Sequence, residues 1–452
     1  MLDFTLSPAQ QTLRTNACSF AQNVLSTAPS LYSHLTDQNA RFLATKPIYK
    51  AAVRAGLIKA QVPIPLGGTA ASLLDEGIVV EEFYAVEPSA AITVLGTGLG
   101  LAPLLLAGNA ELWERFLPEF LKTGGDEDGD GEGEENGGEL PIAAFVHSEP
   151  GGTANWLERG APGLVTTAYR DGEEWVVNGE KLWTTNSSGW DARGATLQCV
   201  VCRETTSTHP NRANPTLSED PSFDPSSNIM ILIITREDIA ANPPSAYTIP
   251  SHPSLTGHIS ANGPLTKFTN LRVPARNILC EVGKGAQIVE QTFGSSAALV
   301  GAMSVGIMRS AFDAALHFCK TDTRGGTSPI LSHQAVSDRL ITAKSLIEAS
   351  RLLTYKALHG LENGPGGWET RLEAALHAKI FASDAAPRVV LECMAVVGMK
   401  SYAADMPFGR MLEDASCLPL FDGGNVGVRR RQVERILRGE GYQAWAGTFG
   451  EV

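Results

Sequence analysis

The chain has 452 residues, 43% of them hydrophobic and 19% charged, an ordinary globular composition that supplies a large core and two or three domains. The net charge of −13, with no basic block beyond Arg429-Arg430-Arg431, argues against nucleic acid as a partner. Much of that acidity is local, since eight carboxylates and no base fall between Asp126 and Glu139.

Residues 1–123 read as a helical domain. Ser7-Pro8 opens the first helix with proline in its first turn, and Leu13, Ala17, Phe20 and Val24 form its apolar stripe. No basic-plus-apolar leader precedes it. A second helix covers residues 46–56 and ends on Gly56, and residues 61–69 form a loop rich in proline and glycine. Residues 72–86 and 90–108 read as long, largely apolar helices. Within the latter, Gly96-Thr97-Gly98-Leu99-Gly100 partly matches a dinucleotide fingerprint, but the last glycine is missing and no strand precedes it. Close helix packing explains these glycines better. No run of about 18 apolar residues interrupts the chain, so no membrane span is expected.

Residues 124–139 form an acidic, glycine-rich insert expected to be disordered between domains. Asp126, Asp128, Asp130 and Gly131 match the start of a calcium-binding loop, but Gly137 stands where the closing glutamate belongs, so no metal is expected. From 140 to 275 the texture becomes that of a β-domain. Strands are expected at 142–146, 165–169, 175–177, 198–201, 229–234 and 265–268, with a long polar loop over 205–227. Cys199-Val200-Val201-Cys202 has redox-motif spacing but falls inside a strand, where residues three apart face opposite sides. The seven cysteines are dispersed and odd in number, which suggests reduced thiols and a cytoplasmic protein. The final Gly-Glu-Val is not a peroxisomal signal.

Residues 276–452 return to helices, at about 286–320, 332–361, 368–397 and 426–437, a bundle pattern. Just before the last of these lies Leu418-Pro-Leu420-Phe421-Asp422-Gly423-Gly424-Asn425, a carboxylate in an apolar frame followed by two glycines. Asn425 reads as the cap of a helix whose stripe is Val426, Val433, Ile436 and Leu437. Arg429 falls inside that stripe, Arg430 on its flank, and Arg431 points away. A buried guanidinium needs an anion, so Asp422 and Arg429 are expected to pair, with Arg429 keeping Asp422 ionised as a general base must be. A structural ion pair would satisfy the same residues.

This segment, with an aromatic residue, a carboxylate and glycine ahead of a helix, resembles the catalytic-base segment of the acyl-CoA dehydrogenase superfamily. The aspartate, the Gly-Gly-Asn and the triple arginine are similar to the flavoenzymes of that superfamily that oxidise nitroalkanes. Two further segments carry the likeness: Phe145-Val146-His147-Ser148-Glu149-Pro150-Gly151-Gly152-Thr153-Ala154, and Gly179-Glu-Lys-Leu-Trp183-Thr184-Thr185-Asn186. Alone, the first would be a polar turn and the second a strand with a core tryptophan. Thr323-Arg324-Gly325-Gly326, His333-Gln334 and Ala395-Val-Val-Gly398 match the family's nucleotide-contacting positions, although Arg324 alone would be a solvated residue. Gly294-Ser-Ser296-Ala-Ala is partly like a hydrolase elbow, yet it ends in alanine within a helix; Ser296 instead matches the family's active-site serine.

The resemblance implies an α+β, acyl-CoA dehydrogenase-like fold: N-terminal helical domain, central β-domain, C-terminal four-helix bundle. It implies FAD as cofactor. Val146, His147, Ser148, Thr153, Ala154, Trp183, Thr184 and Thr185 would contact its ring and pyrophosphate, with Leu420, Phe421, Gly423 and Gly424 around the base. Arg324, His333, Gln334, Ala395 and Gly398 would come from a neighbouring subunit, which implies a homotetramer. Asp422, Arg429 and Ser296 would be catalytic, in a reaction that takes an α-proton from a small nitroalkane. The carbanion then adds to flavin N5, giving an aldehyde or ketone and nitrite, and dioxygen is reduced to hydrogen peroxide. Three departures bear on substrate range: the acidic insert, Leu418 where a tyrosine is usual, and Thr184-Thr185 in place of Pro-Ser. Two rivals stand beside this reading. One is an acyl-CoA dehydrogenase or oxidase, disfavoured by an aspartate one methylene too short. The other is a non-catalytic scaffold of the same fold.

Overall fold

The computed structural model describes residues 5–123, 140–161, 163–205 and 223–450. The acidic insert at 124–139 and residues 206–222 of the expected loop over 205–227 lie outside the described residues.

The N-terminal part is helical. Helix α1 (Pro8–Asn23) starts with a reciprocal cap: Ser7 Oγ accepts from the Gln10 N–H, and the Gln10 side chain accepts from the Ser7 N–H. Its Ala17 and Ala21 face the core, with Leu13, Phe20 and Val24 half-buried beside them. Helix α2 (Lys46–Arg54) stops before Gly56, whose φ of +73° favours glycine. Helices α3 (Leu73–Tyr84) and α4 (Pro88–Leu106) follow. The glycines of α4 mark close packing. A Cβ on Gly100 would lie 2.4 Å from the backbone of Ala143 and Ala144, and one on Gly96 would lie 3.0 Å from Thr185.

Among the described residues, seven strands form one sheet: β1 (Ala143–Val146), β2 (Thr167–Asp171), β3 (Glu174–Lys181), β4 (Leu197–Glu204), β5 (Ile229–Thr235), β6 (Tyr247–Ser251) and β7 (Leu265–Pro274). Strand β4 is the hub. It runs parallel to β1 (Phe145 opposite Cys199) and to β2 (Thr167 opposite Arg203), and antiparallel to β5 (Val200 opposite Leu232). The order continues β2-β3-β7-β6. Strand β6 was not expected, because Pro250 and the flanking turn residues mask its pattern. Strands β4 and β5 are buried on both faces, so Cys199 and Cys202 are both enclosed, and burial pushes each thiol up to about 12. That leaves them inert.

The C-terminal part is built on three long helices, α5 (Gly285–Thr321), α6 (Gln334–Asn363) and α7 (Trp368–Val397). Shorter α8 (Phe408–Cys417), which the sequence reading missed, and α9 (Arg430–Leu437) complete it. Helix α3 joins this bundle across the chain. Its buried Glu81 pairs with Arg309 at 2.9 Å and Arg351 at 2.8 Å, and Glu82 pairs with Arg309 at 2.7 Å. What needs correction is the premise that no long apolar run occurs. Helices α4 and α5 are long and apolar enough to cross a membrane, because glycine, serine and threonine spaced through them hide the hydropathy of the whole window. Over half of each window is buried in this fold, α4 against β1 and α5 against α7 and α3.

Candidate active site

The sheet edge and the bundle meet at a cavity of about 1310 Å³. Its sheet-side wall comes from the ends of β1 and β3. Strand β1 delivers His147 and Ser148; strand β3 delivers Trp183, Thr184 and Thr185. A buried ion pair fixes the two ends together: Lys181 Nζ donates to Glu149 Oε1 at 3.0 Å and to the His147 carbonyl at 2.8 Å. Glu149 also accepts from the Val165 and Thr166 N–H groups, at 2.7 and 2.9 Å. Burial works to raise the Glu149 pKa, but the Lys181 ammonium and these two N–H groups outweigh it and hold the carboxyl below its usual range. The Leu182 N–H donates to the Ser148 carbonyl, closing the seam. Trp183 then turns outward at φ +65°, with its indole 56% exposed to the cavity side, and Gly263 sits under it, where a Cβ would come within 3.1 Å of Trp183 Cα.

The opposite wall is the segment from Leu420 to Val428. Asp422, Gly423 and Gly424 all have positive φ, at +49°, +88° and +52°. For an aspartate this is a strained backbone, and such strain persists only where the surroundings enforce it. The enforcing group is Arg429. It is buried, and its Nε donates to the Asp422 carbonyl at 2.5 Å while Nη1 donates to Gln432 Oε1. The expected pairing is therefore corrected. The guanidinium grips the main chain of Asp422, and no carboxylate contact within 4.0 Å joins the two side chains. Burial lowers the Arg429 pKa to about 10, against the pull of Asp422 and Glu290. The cation stands beside Asp422 without being tied to its carboxylate oxygens.

Two details of the following helix also differ from expectation. Asn425–Arg429 is a π-helical turn leading into α9, in place of one continuous α-helix. Asn425 does not cap it. Its Nδ2 donates to Ser383 Oγ at 2.9 Å and Asp384 Oδ1 at 2.7 Å, and its Oδ1 accepts from Lys379 at 2.8 Å, all on α7. The wider turn rotates the chain, so Val426 is 83% exposed, and Leu437 is half-exposed; only Val433 and Ile436 keep the expected inward stripe.

Helix α5 forms the floor. Ser296 lines the cavity, with its Oγ donating a long 3.3 Å bond to the Phe293 carbonyl. The Phe293 ring lies 5.6 Å from the Arg429 guanidinium and edge-on to His147. Beyond these groups the cavity becomes an apolar channel walled by Leu57, Val79, Phe83, Leu95, Leu99 and Met303.

Of the residues singled out from sequence, His147, Ser148, Thr153, Ala154, Trp183, Thr184, Thr185, Ser296, Leu420, Phe421, Asp422, Gly423 and Gly424 all line this one cavity. Val146 is buried in β1 just behind it, and Arg429 stands behind Asp422. Arg324, His333, Gln334, Ala395 and Gly398 lie away from the cavity at another end of the bundle. There, Arg324 Nη2 donates to the Val396 and Val397 carbonyls at 2.5 and 2.7 Å, closing the end of α7. Leu418 is fully buried among helices and forms no part of the cavity wall, so its departure from the usual tyrosine does not reach the channel directly. Three residues were missed. Lys379 and His258 are buried beside the Asp422 segment, and Phe293 sits under Arg429. Periodicity offered a signal for Lys379, because Ala375, Ala378, Ala382 and Ala386 mark its face of α7 as buried.

The residues fit a flavin. Thr184 Oγ1 and His147 Nε2 are buried on this wall without a hydrogen-bond partner, as groups awaiting a polar ring edge would be. Burial, and then Lys181 and Arg429, push His147 well below its ordinary pKa, so it is a neutral imidazole there. The cavity is large, lined by Trp183 and mostly apolar, as a ring system requires.

Comparison with known proteins agrees. The family described as acyl-CoA dehydrogenase, N-terminal domain, matches residues 7–123, and acyl-CoA dehydrogenase, C-terminal domain, matches residues 283–437. The chain is 50% identical over 451 residues to nitroalkane oxidase of Fusarium oxysporum, covering 100% of this chain and 98% of that one. It is 45% identical to nitroalkane oxidase of Podospora anserina, covering 99% of each. A solved nitroalkane oxidase, an active-site aspartate-to-asparagine mutant crystallised with 1-nitrooctane, superposes with a TM-score of 0.92 at 50% identity, covering 99% of this chain and 100% of that chain.

Proposed function

The chain belongs to the acyl-CoA dehydrogenase family, among its nitroalkane oxidases, and from that premise we propose that it oxidises primary or secondary nitroalkanes with Asp422 as the base. It is a FAD-dependent oxidoreductase. The observation that carries the residue assignment is Asp422 itself: a carboxylate on a strained, buttressed turn, lining an apolar cavity beside a buried cation that does not neutralise it.

Each residue then has a task. Asp422 takes the α-proton, and the strained turn held by Arg429 keeps its carboxylate in one place for that transfer. Ser296 exchanges its long bond to Phe293 for the substrate's nitro oxygen, which orients the α-carbon toward Asp422. Thr184 and His147 would hold the flavin edge, and Trp183 would lie beside its ring. When bound, FAD would supply the acceptor for the electron pair left on the α-carbon and the route for that pair to dioxygen. Overall, nitroalkane, dioxygen and water give an aldehyde or ketone, nitrite and hydrogen peroxide. The apolar channel favours unbranched alkyl chains over bulky or charged groups.

Two wider features belong to the same reading. The protein is a homotetramer in which Arg324, His333, Gln334, Ala395 and Gly398 of one subunit reach the nucleotide end of the cofactor in another; exposed Met399 and Tyr402 beside Gly398 support such a covered surface. Its seven free cysteines support a cytoplasmic location.

The test is direct. Purified protein should show flavin absorbance in the visible range and release nitrite and peroxide from nitroethane. Flavin-loaded protein that releases no nitrite, but turns over a CoA thioester, would move the assignment to the dehydrogenase branch.

A further inference from the structure

Lys379 is the one lysine on the buried face of α7, and its side chain is fully enclosed. Nothing in the reaction described so far uses it. Its ammonium reaches two oxygens, Asn425 Oδ1 at 2.8 Å and the Pro419 carbonyl at 3.4 Å. Both are neutral, and no carboxylate among the described residues lies within 4.0 Å of it. A buried ammonium served only by an amide and a carbonyl is costly, and proteins keep such a group only where a nearby negative charge or a specific task repays it.

The two oxygens flank the turn that carries Asp422. Pro419 precedes it by three residues and Asn425 follows by three. The same Asn425 is anchored on its other side to Ser383 and Asp384, one turn further along α7, and Asp384 Oδ2 accepts from Arg430 at 2.7 Å. Helix α7 thus clamps both ends of the strained turn from beneath, while Arg429 holds its middle from the following helix. We propose that Lys379 is a positioning residue for the base: from α7 it pins the two ends of the turn that carries Asp422.

The charges around Asp422 make this assignment specific. Arg429 and Lys379 are the cations that face it, from the following helix and from α7. Asp384 on α7 faces Lys379 from the far side and is engaged by Arg430 and Asn425. Tyr84 on α3 faces Asp422 with its hydroxyl unpartnered, and burial, then Asp414, Asp422 and Cys417, push its pKa up, so it stays neutral. His258 packs on Phe421, and burial lowers its pKa despite Asp414, so it too is neutral. Glu290 on α5 faces Arg429 and is drawn to Arg435 at 3.0 Å. Burial brings Lys379 itself down to about 8, with Asp422 acting to hold it up. Asp422 and Lys379 are therefore electrostatic partners across the turn without touching.

The inference rests on Asp422 being the base, and the test separates the two claims. Lys379→Met keeps the volume and removes the charge. Two substrates are compared: neutral nitroethane, which must lose a proton to Asp422, and its preformed anion, which has already lost it. The variant should retain flavin absorbance, lose about ten- to a hundredfold in kcat/KM on neutral nitroethane, and stay within about threefold of wild type on the anion. If the two substrates suffer equally, Lys379 is only structural and the proposal is overturned. Asn425→Ala gives a second reading should Lys379→Met not accumulate. It removes the oxygen through which Lys379 pins the turn, so the same selective loss on neutral nitroethane is expected; an equal loss on both substrates overturns the proposal. If wild-type protein releases no nitrite from nitroethane, the base assignment fails and this inference with it.

Discussion

At the scale of single residues, the account turns on how charge is held without being cancelled. Arg429 donates to the main-chain carbonyl of Asp422 and leaves the carboxylate free to take a proton. Lysine cannot reproduce that grip, because it lacks the planar fork that spans a carbonyl and the Gln432 amide together. Arg429→Lys should therefore retain flavin and fold but lose about a hundredfold in kcat/KM on nitroethane, measured by nitrite release. Glu149 shows the opposite arrangement, a buried carboxylate fully engaged by Lys181 and two N–H groups. Its pKa is lower in the fold than in the unfolded chain, so its stabilising effect is present above the unfolded value of about 4.3 and fades as pH falls through the folded value. Thermal midpoints measured from pH 7 downward should fall over that acid window in wild type. Glu149→Gln should sit lower by about 3–5 kcal/mol near neutrality, because Lys181 is left buried without its partner, and should lose less on further acidification.

These residues were partly legible before any coordinates. Asp422 stands out because an acidic residue framed by leucines and phenylalanine, and followed by two glycines, has few structural uses. Arg429 stands out because helical periodicity puts it on an apolar face. The bond it makes was not legible: a side chain that reaches a main-chain carbonyl leaves no pattern in sequence. Ser296 and the Thr184 hydroxyl were visible only through family resemblance, since small hydroxyl residues occur in helices and turns everywhere.

At the scale of elements, the long helices and the paired strands follow from periodicity and from β-branched runs, and the structure places them within a few residues of expectation. The misses have physical causes. Strand β6 contains Pro250 and pairs only along its inner edge with β7. The π-helical turn at Asn425–Arg429 adds one residue per turn, which throws Val426 outward and brings Asn425 to α7, and no 3.6-residue template anticipates that. The glycine-rich helix α4 was read as a packing helix, and its partner is now identified as β1. That contact predicts a sharp response. Gly100→Val would drive its side chain into the Ala143 and Ala144 backbone and should cost at least about 1–3 kcal/mol, seen as a lower urea midpoint and loss of flavin. The same change at Gly108, where a Cβ meets nothing within 4 Å, should not displace β1, although its φ of +68° carries its own smaller strain.

At the scale of the whole molecule, the sheet, the bundle and the N-terminal helices all line one cavity, and none contains the chemistry alone. The sheet brings groups suited to a ring edge; the bundle brings the base and its cations; the N-terminal helices wall most of the alkyl channel. Helix α3 ties the parts together through Glu81, Glu82, Arg309 and Arg351. The order of helical, β and helical segments was readable from texture. The convergence of residues 147, 184, 296 and 422 on one point was not, because their separations in sequence carry no distance information. The proposed tetramer belongs to this scale too. Light scattering on purified protein should give four times the chain mass, and Arg324→Glu should lower flavin content per chain while leaving the isolated subunit folded.

The most direct measurement compares Asp422→Asn with wild type on neutral nitroethane and on its preformed anion, using flavin-loaded protein in both cases. The account predicts that nitrite release from the neutral substrate falls by at least about a hundredfold while release from the anion is largely retained. Near-normal turnover of neutral nitroethane by the variant, or an equal collapse on both substrates, would contradict it.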